Sequence, residues 1–255
     1  MFNPILISGM PRSGLHALLG WIKVQIHPHA IDFTKNGKKY RILRAALISK
    51  LKKTHLKRAE IYQLKRRHTK ALAWLKRNTP NKKRTIAIME QVNLQVLSEF
   101  EREEAPCKIT NVLLMRDVFN QYASFMTQKL RRLGSRESKD FSQTYRKYAE
   151  EFLGKTEYLE DKILVKYNQW FVDKSYRKKI IEKLGGVFTD ANLQQVPAAG
   201  GGSSFDKQYY QHKAQEMKVL ERWRPFFKEY PNCLGNIDSK CIELSNQIFG
   251  NILDI

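Results

Sequence analysis

At 255 residues and 42% apolar content, the chain is long enough to enclose one sizeable core, and a single α/β domain spanning residues 1–255 is expected. Its formal charge of +21 is concentrated: residues 35–85 hold nineteen Lys/Arg against one acid, Glu60, and the remainder is close to neutral. No apolar run approaches the roughly 20 residues of a membrane-crossing helix, the first one comes too early for a signal peptide, and Cys107, Cys233 and Cys241 lack metal or redox spacing, so a cytoplasmic protein with reduced thiols is expected, with peripheral membrane contact only through the basic block.

In chain order, residues 4–8 are a short buried-strand run that passes into Gly9-Met10-Pro11-Arg12-Ser13-Gly14 and then into a helical pattern over 15–26 with Leu18, Leu19 and Ile22 on one side. A glycine-bounded turn between a buried strand and a helix start is suited to phosphate, because successive N–H groups and the positive end of the helix dipole face the anion. The nucleoside-triphosphatase version of this loop continues with Lys and then Ser/Thr, whose hydroxyl holds magnesium. Here Leu15 and His16 follow Gly14 and the cation is Arg12, so no metal is expected. His27 and His29 flank Pro28 and read as a turn.

A further strand is expected at 30–33. From 35 to 84 a basic segment places Leu43, Leu47, Leu51, Ile61, Leu64, Leu72 and Leu75 at helical spacing, so an inserted helical stretch over about 41–77 is expected. A strand over 85–90 ends in Glu90, and a helical pattern follows at 94–104. The run 109–115 ends at Arg116-Asp117, on the side where open parallel sheets bind ligands, and leads into a helix over 118–132 carrying Ser124. Helices are expected at 141–153 and 169–184, with a strand over 162–166 before Tyr167-Asn168. Residues 194–204 read as a loop through Pro197 and Gly200-Gly201-Gly202-Ser203, and helices at 207–228 and 238–249 close the chain. Alternation of short apolar runs with helical periodicity predicts an α/β fold. It is a three-layer, doubly wound parallel sheet of about five strands, with a P-loop-like loop after the first and the basic helical insertion at about 35–84.

Pro11-Arg12-Ser13-Gly14 after the first strand, followed about a hundred residues later by Arg116 and Ser124 on a strand-to-helix unit, resembles the sulfotransferase superfamily, in its small soluble bacterial or phage-type members. The resemblance implies a donor, 3′-phosphoadenosine-5′-phosphosulfate (PAPS). Arg12, Ser13, Gly14, Leu15 and His16 would surround its 5′-phosphosulfate, and Arg116 with Ser124 would hold its 3′-phosphate. For Arg116 a salt bridge to Asp117 or a helix-capping charge is the other reading. Lys166-Tyr167-Asn168 resembles the family's strand end in Tyr-Glu-Asp with Asn168 in place of the acid, and Gly201, Gly202 and Ser203 sit where the family closes a loop over the nucleotide. A departing sulfonate carries one charge where a phosphoryl group carries two, so fixed cations and amides suffice without magnesium.

Sulfonyl transfer needs a base near the acceptor. Glu90, 26 residues before Arg116, is the first candidate and His16 the second, with Arg12 as the catalytic cation. Lys53-Thr54-His55-Leu56 looks like the histidine-bearing strand of the small-molecule sulfotransferases, but it lies inside the basic helical pattern and is read as chance. The basic block is either a solvated helical face or a surface for an acidic carbohydrate or lipid acceptor. Two other functions fit parts of the chain. A kinase-like phosphotransferase lacks its magnesium ligands, and a nucleic-acid-binding protein leaves Arg116 and Ser124 unexplained, so no nucleic-acid partner is expected.

Overall fold

The first strand, β1 (Ile5–Gly9), is buried along its whole length, as a strand covered by helices on both faces must be. It sits at the centre of a five-stranded parallel sheet with β2 (Ile31–Asp32), β3 (Thr85–Glu90), β4 (Thr110–Met115) and β5 (Lys162–Lys166), in the order β2-β3-β1-β4-β5. The computed structural model describes residues 5–26, 31–32, 85–90, 94–95, 97–98, 102, 109–130, 138–198, 202–203 and 205–253. The basic segment at 35–84 with its Lys53-Thr54-His55-Leu56, the pair His27 and His29, and Gly201 lie outside these residues.

Strand side chains alternate between two cores, which is what makes the fold three-layered. Leu6, Leu113 and Met115 point into one, with Phe119, Tyr122, Tyr145, Tyr148, Cys241 and Leu244. Ile5, Ile7, Val112 and Leu114 point into the other, with Leu18, Trp21, Ile22, Ile180 and Ile181. The first core is covered by α2 (Val118–Leu130), α3 (Ser138–Phe152), α6 (Trp223–Glu229) and α7 (Ser239–Phe249), the second by α1 (Leu15–Ile26), α4 (Tyr167–Val172) and α5 (Lys174–Lys183). The doubly wound architecture expected from the sequence is thus present.

Two expected helices differ from their patterns. The stretch 169–184 is broken at Asp173, which takes extended φ/ψ and whose carboxylate accepts the Tyr176 N–H at 2.9 Å. An Asx residue satisfies a helix start better than a helix interior, so one pattern becomes α4 and α5. The stretch 207–228 is mostly turns, with a short 3₁₀ segment at Ala214–Glu216, and only Trp223–Glu229 is α-helical. Pro225 accounts for the late start, because its ring excludes a helical residue four positions earlier but fits the first turn of α6. Lys207 (φ 54°) and His212 (φ 68°) lie in the left-handed region, which also rules out a helix there.

At the β5 margin, the Tyr176 hydroxyl accepts the Lys166 N–H at 3.0 Å and donates to the Leu164 carbonyl at 3.1 Å. The turn from α3 into β5 is organised around Glu151, which is fully buried. Its carboxylate accepts the N–H groups of Tyr158 and Leu159 at 3.0 Å each and the Thr156 hydroxyl at 2.7 Å, and it pairs with Lys162. Burial alone would push this carboxyl up, but the Lys162 ammonium and the three neutral donors outweigh it and hold the group below its ordinary value. A carboxyl lowered in the folded state stabilises at pH above the unfolded-glutamate value of about 4.3, and that stabilisation is lost as pH falls through the folded value. Replacing Glu151 by Gln is therefore expected to cost about 3 kcal/mol at neutral pH and to flatten the acid limb of stability, as measured by urea unfolding between neutral pH and pH 3.

Candidate anion-binding site

Strand register brings the candidate residues to one edge. Gly9 is level with Glu90 on one side and Leu114 on the other, while Met115 is level with Lys166. The loop after β1, the carboxylate ending β3, Arg116 after β4 and Tyr167 after β5 therefore emerge together, at the carboxyl ends of parallel strands.

The loop is a tight turn. The Ser13 N–H donates to the Met10 carbonyl at 3.2 Å, Arg12 takes a left-handed φ of 68°, and Gly14 takes φ 98°. Glycine is required at position 14 for a second reason, since a Cβ there would lie 2.2 Å from Cε2 of the Tyr167 ring. Helix α1 begins at the next residue; the Leu18 N–H donates to the Gly14 carbonyl at 3.0 Å, and the N–H groups of Leu15, His16 and Ala17 precede the first acceptor that an α-helix can offer.

Helix α2 holds this loop from the other side with one face. Asp117, Gln121, Ser124 and Gln128 recur at spacings of four, three and four. Gln121 donates to the Pro11 carbonyl at 3.1 Å, and Gln128 accepts from Arg12 Nε at 3.0 Å. Asp117 caps the helix, accepting the Asn120 N–H at 2.8 Å, and it also accepts the carboxamides of Asn120 and Asn168. Asn168 thus finds its role as an amide partner of Asp117, a place a second acid would fill badly.

Because Asp117 is taken up in this way, Arg116 is not its salt-bridge partner. Arg116 is 3% exposed. It donates to the Arg12 carbonyl at 3.3 Å and to the Val219 carbonyl, and its guanidinium lies 5.0 Å from the centre of the Tyr167 ring. Its Nε is buried with no hydrogen-bond partner among the described residues, as are Ser13 Oγ, His16 Nδ1 and Trp170 Nε1.

These groups surround a cavity of about 510 Å³, within the range of small-molecule sites. Of the sequence-derived candidates, Arg12, Gly14, Leu15, His16, Glu90, Arg116, Ser124, Tyr167, Gly202 and Ser203 line it, and Ser13 is buried beneath the loop. Sequence reasoning missed Gln128, Trp170, Phe171, Gln195 and Arg222, which also line it, beside an apolar wall that includes Leu193, Val196, Met217 and Val219. Gln128 was findable as the next turn of the face bearing Ser124. Arg222 was hidden within a falsely expected helix. Among the described lining residues three arginines face one carboxylate, so the site favours an anion.

No family model matches the chain, and no curated relative matches it. Among solved structures, the sulfotransferase domain from the Synechococcus PCC 7002 olefin synthase is similar over 97% of this chain and 96% of its own, with a TM-score of 0.51 at 15% identity. The sulfotransferase domain from the curacin biosynthetic pathway is similar over 97% of this chain and 98% of its own, with a TM-score of 0.52 at 15% identity. The chain has the sulfotransferase fold. In this fold the cavity lies where the strand ends and the β1 loop converge. Among the described residues, no three His, Cys, Asp or Glu side chains come together as metal ligands, and no helix is long and apolar enough to cross a membrane.

Proposed function

We propose that the protein is a sulfotransferase that takes its sulfonyl group from PAPS and delivers it to a hydroxyl or amine of an anionic acceptor. One observation carries the reading: a single cavity joins the glycine-bounded loop before α1 to the buried guanidinium of Arg116, which pairs with no carboxylate among the described residues. Two anion-binding elements on one cavity, the loop and Arg116, suit a donor with phosphate on both the 3′ and the 5′ position of its ribose. The orphaned Arg116 Nε and the cavity volume fit such a ligand.

Bound there, the donor supplies a sulfonyl group already joined to a good leaving phosphate. Arg12 and the first-turn amides of α1 offset the charge that grows on the leaving oxygen as the sulfur–oxygen bond breaks. Arg116 and Ser124 hold the 3′-phosphate. Glu90 accepts the proton released from the acceptor as its oxygen or nitrogen bonds to sulfur, with His16 the alternative acceptor of that proton. Both line the cavity beside the loop. The charge of residues 35–84 supports an acidic carbohydrate or lipid as acceptor.

Thermal shift tests the donor reading. Adenosine 3′,5′-bisphosphate at about 100 times its Kd is expected to raise the melting temperature by roughly 5–10 °C, from about 2.7 kcal/mol of binding linkage at 2–4 °C per kcal/mol. Stabilisation by ATP with magnesium, or by an oligonucleotide, in place of the bisphosphate would sink the proposal.

A further inference from the structure

Arg12 carries a side chain in the left-handed region, at φ 68°. Such a backbone persists only where its surroundings over-determine it, and here three contacts come from one unit, the end of β4 and helix α2. Gln121 donates to the Pro11 carbonyl at 3.1 Å, and Arg116 donates to the Arg12 carbonyl at 3.3 Å. These two hold the main chain on either side of the Arg12 Cα. The third holds its side chain: the half-buried Gln128, two turns beyond Gln121 on the same face of α2, accepts from Arg12 Nε at 3.0 Å. Both partners of that bond line the cavity.

A long cationic side chain that rotates freely must be ordered as its anion arrives, and one already tethered is not. The chemistry of this tether is specific. A guanidinium carries five N–H donors in one rigid plane, so a bond at Nε fixes the plane and with it the direction of both Nη groups. A lysine at position 12 concentrates its donors on one tip nitrogen and has no plane to aim. Gln128 supplies an amide oxygen, which accepts the bond without bringing a negative charge to the cavity. A carboxylate in its place would hold the same nitrogen and offset the charge that the site uses.

We propose that Gln128 is a positioning residue for the cation of the β1 loop, its amide oxygen orienting the Arg12 guanidinium toward the 5′-phosphate end of the donor. In the transfer, the acceptor's oxygen or nitrogen bonds to sulfur and gives its proton to the base. The bond from sulfur to the bridging phosphate oxygen breaks, and its electron pair stays on that oxygen, beside Arg12. The proposal rests on the donor reading and deepens it.

The test compares adenosine 3′,5′-bisphosphate with adenosine 3′-phosphate, which lacks only the 5′-phosphate, by calorimetry on the full chain and its variants. Gln128→Met keeps the length of the side chain without the acceptor. It is expected to weaken the bisphosphate about 3–30-fold and to leave the 3′-phosphate nearly unchanged, a selectivity that general loosening of α2 would not produce. Gln128→Glu keeps an acceptor but adds a like charge to the anion's site, and is expected to weaken the bisphosphate further than Gln128→Met does. Arg12→Lys removes the Nε donor, so adding Gln128→Met to it is expected to change bisphosphate affinity by less than about twofold. Equal losses for both nucleotides in Gln128→Met, unchanged bisphosphate affinity there, tighter binding in Gln128→Glu than in Gln128→Met, or losses that multiply in full in the Arg12→Lys background each overturn the assignment of Gln128. Failure of the unmodified protein to bind the bisphosphate overturns the donor reading itself and takes this proposal with it.

Discussion

Replacing Arg116 by Ala is expected to remove bisphosphate binding almost completely, with a loss of about 10²–10⁴-fold, because two charge-assisted hydrogen bonds at about 1.5–3 kcal/mol each disappear. Sulfonyl transfer from labelled PAPS should fall at least as far. The substitution also withdraws the donor that joins the Arg12 and Val219 carbonyls, so the β1 loop and the segment before α6 lose their shared clasp. Calorimetry with the 3′,5′-bisphosphate and with the 5′-phosphate separates the two consequences. A purely electrostatic role predicts loss of the bisphosphate alone, and loosening of the loop predicts weaker binding of both. Retention of full bisphosphate affinity would remove Arg116 from the site.

The second large effect is expected at Gly14. An alanine there meets two separate obstacles: a φ of 98° that side chains rarely tolerate, and the Tyr167 ring 2.2 Å from the new Cβ. Backbone strain of about 1–3 kcal/mol and overpacking of a similar 1–3 kcal/mol should together remove about 2–6 kcal/mol of stability and displace the loop proposed to hold the 5′ end of the donor. Adding Tyr167→Ala relieves the second obstacle and leaves the first. Chemical denaturation of Gly14→Ala, Tyr167→Ala and the double variant should therefore show partial rescue, a coupling that vanishes if the ring does not pack on the glycine.

What was legible in the sequence follows from how local each signal is. The strand, glycine loop and helix at residues 5–26 are one contiguous unit whose chemistry is written in adjacent residues, and Arg116 and Ser124 are likewise read from one strand and the helix after it. Arg222 belongs to the same cavity because Asn120, about a hundred residues earlier, holds its neighbours Leu220 and Trp223, and no short-range pattern announces so distant a partner. Reading 207–228 as one helix gave Pro225 too little weight, since a proline in a first turn dates the start of a helix. Asn168 looked like a lost acid, yet opposite Asp117 an amide can both donate and accept, and it does both.

The Tyr176 hydroxyl on β5 bears on how this protein survives at high concentration. The last strand of a described sheet presents main-chain donors and acceptors that any passing strand can adopt, and exposed Leu164 would favour such company. One phenol answers both a donor and an acceptor of that margin at once, from a helix of the same chain. Among the described residues, this margin meets a side chain in place of a further strand, and growth by stacking one molecule's edge on the next is closed off at that point.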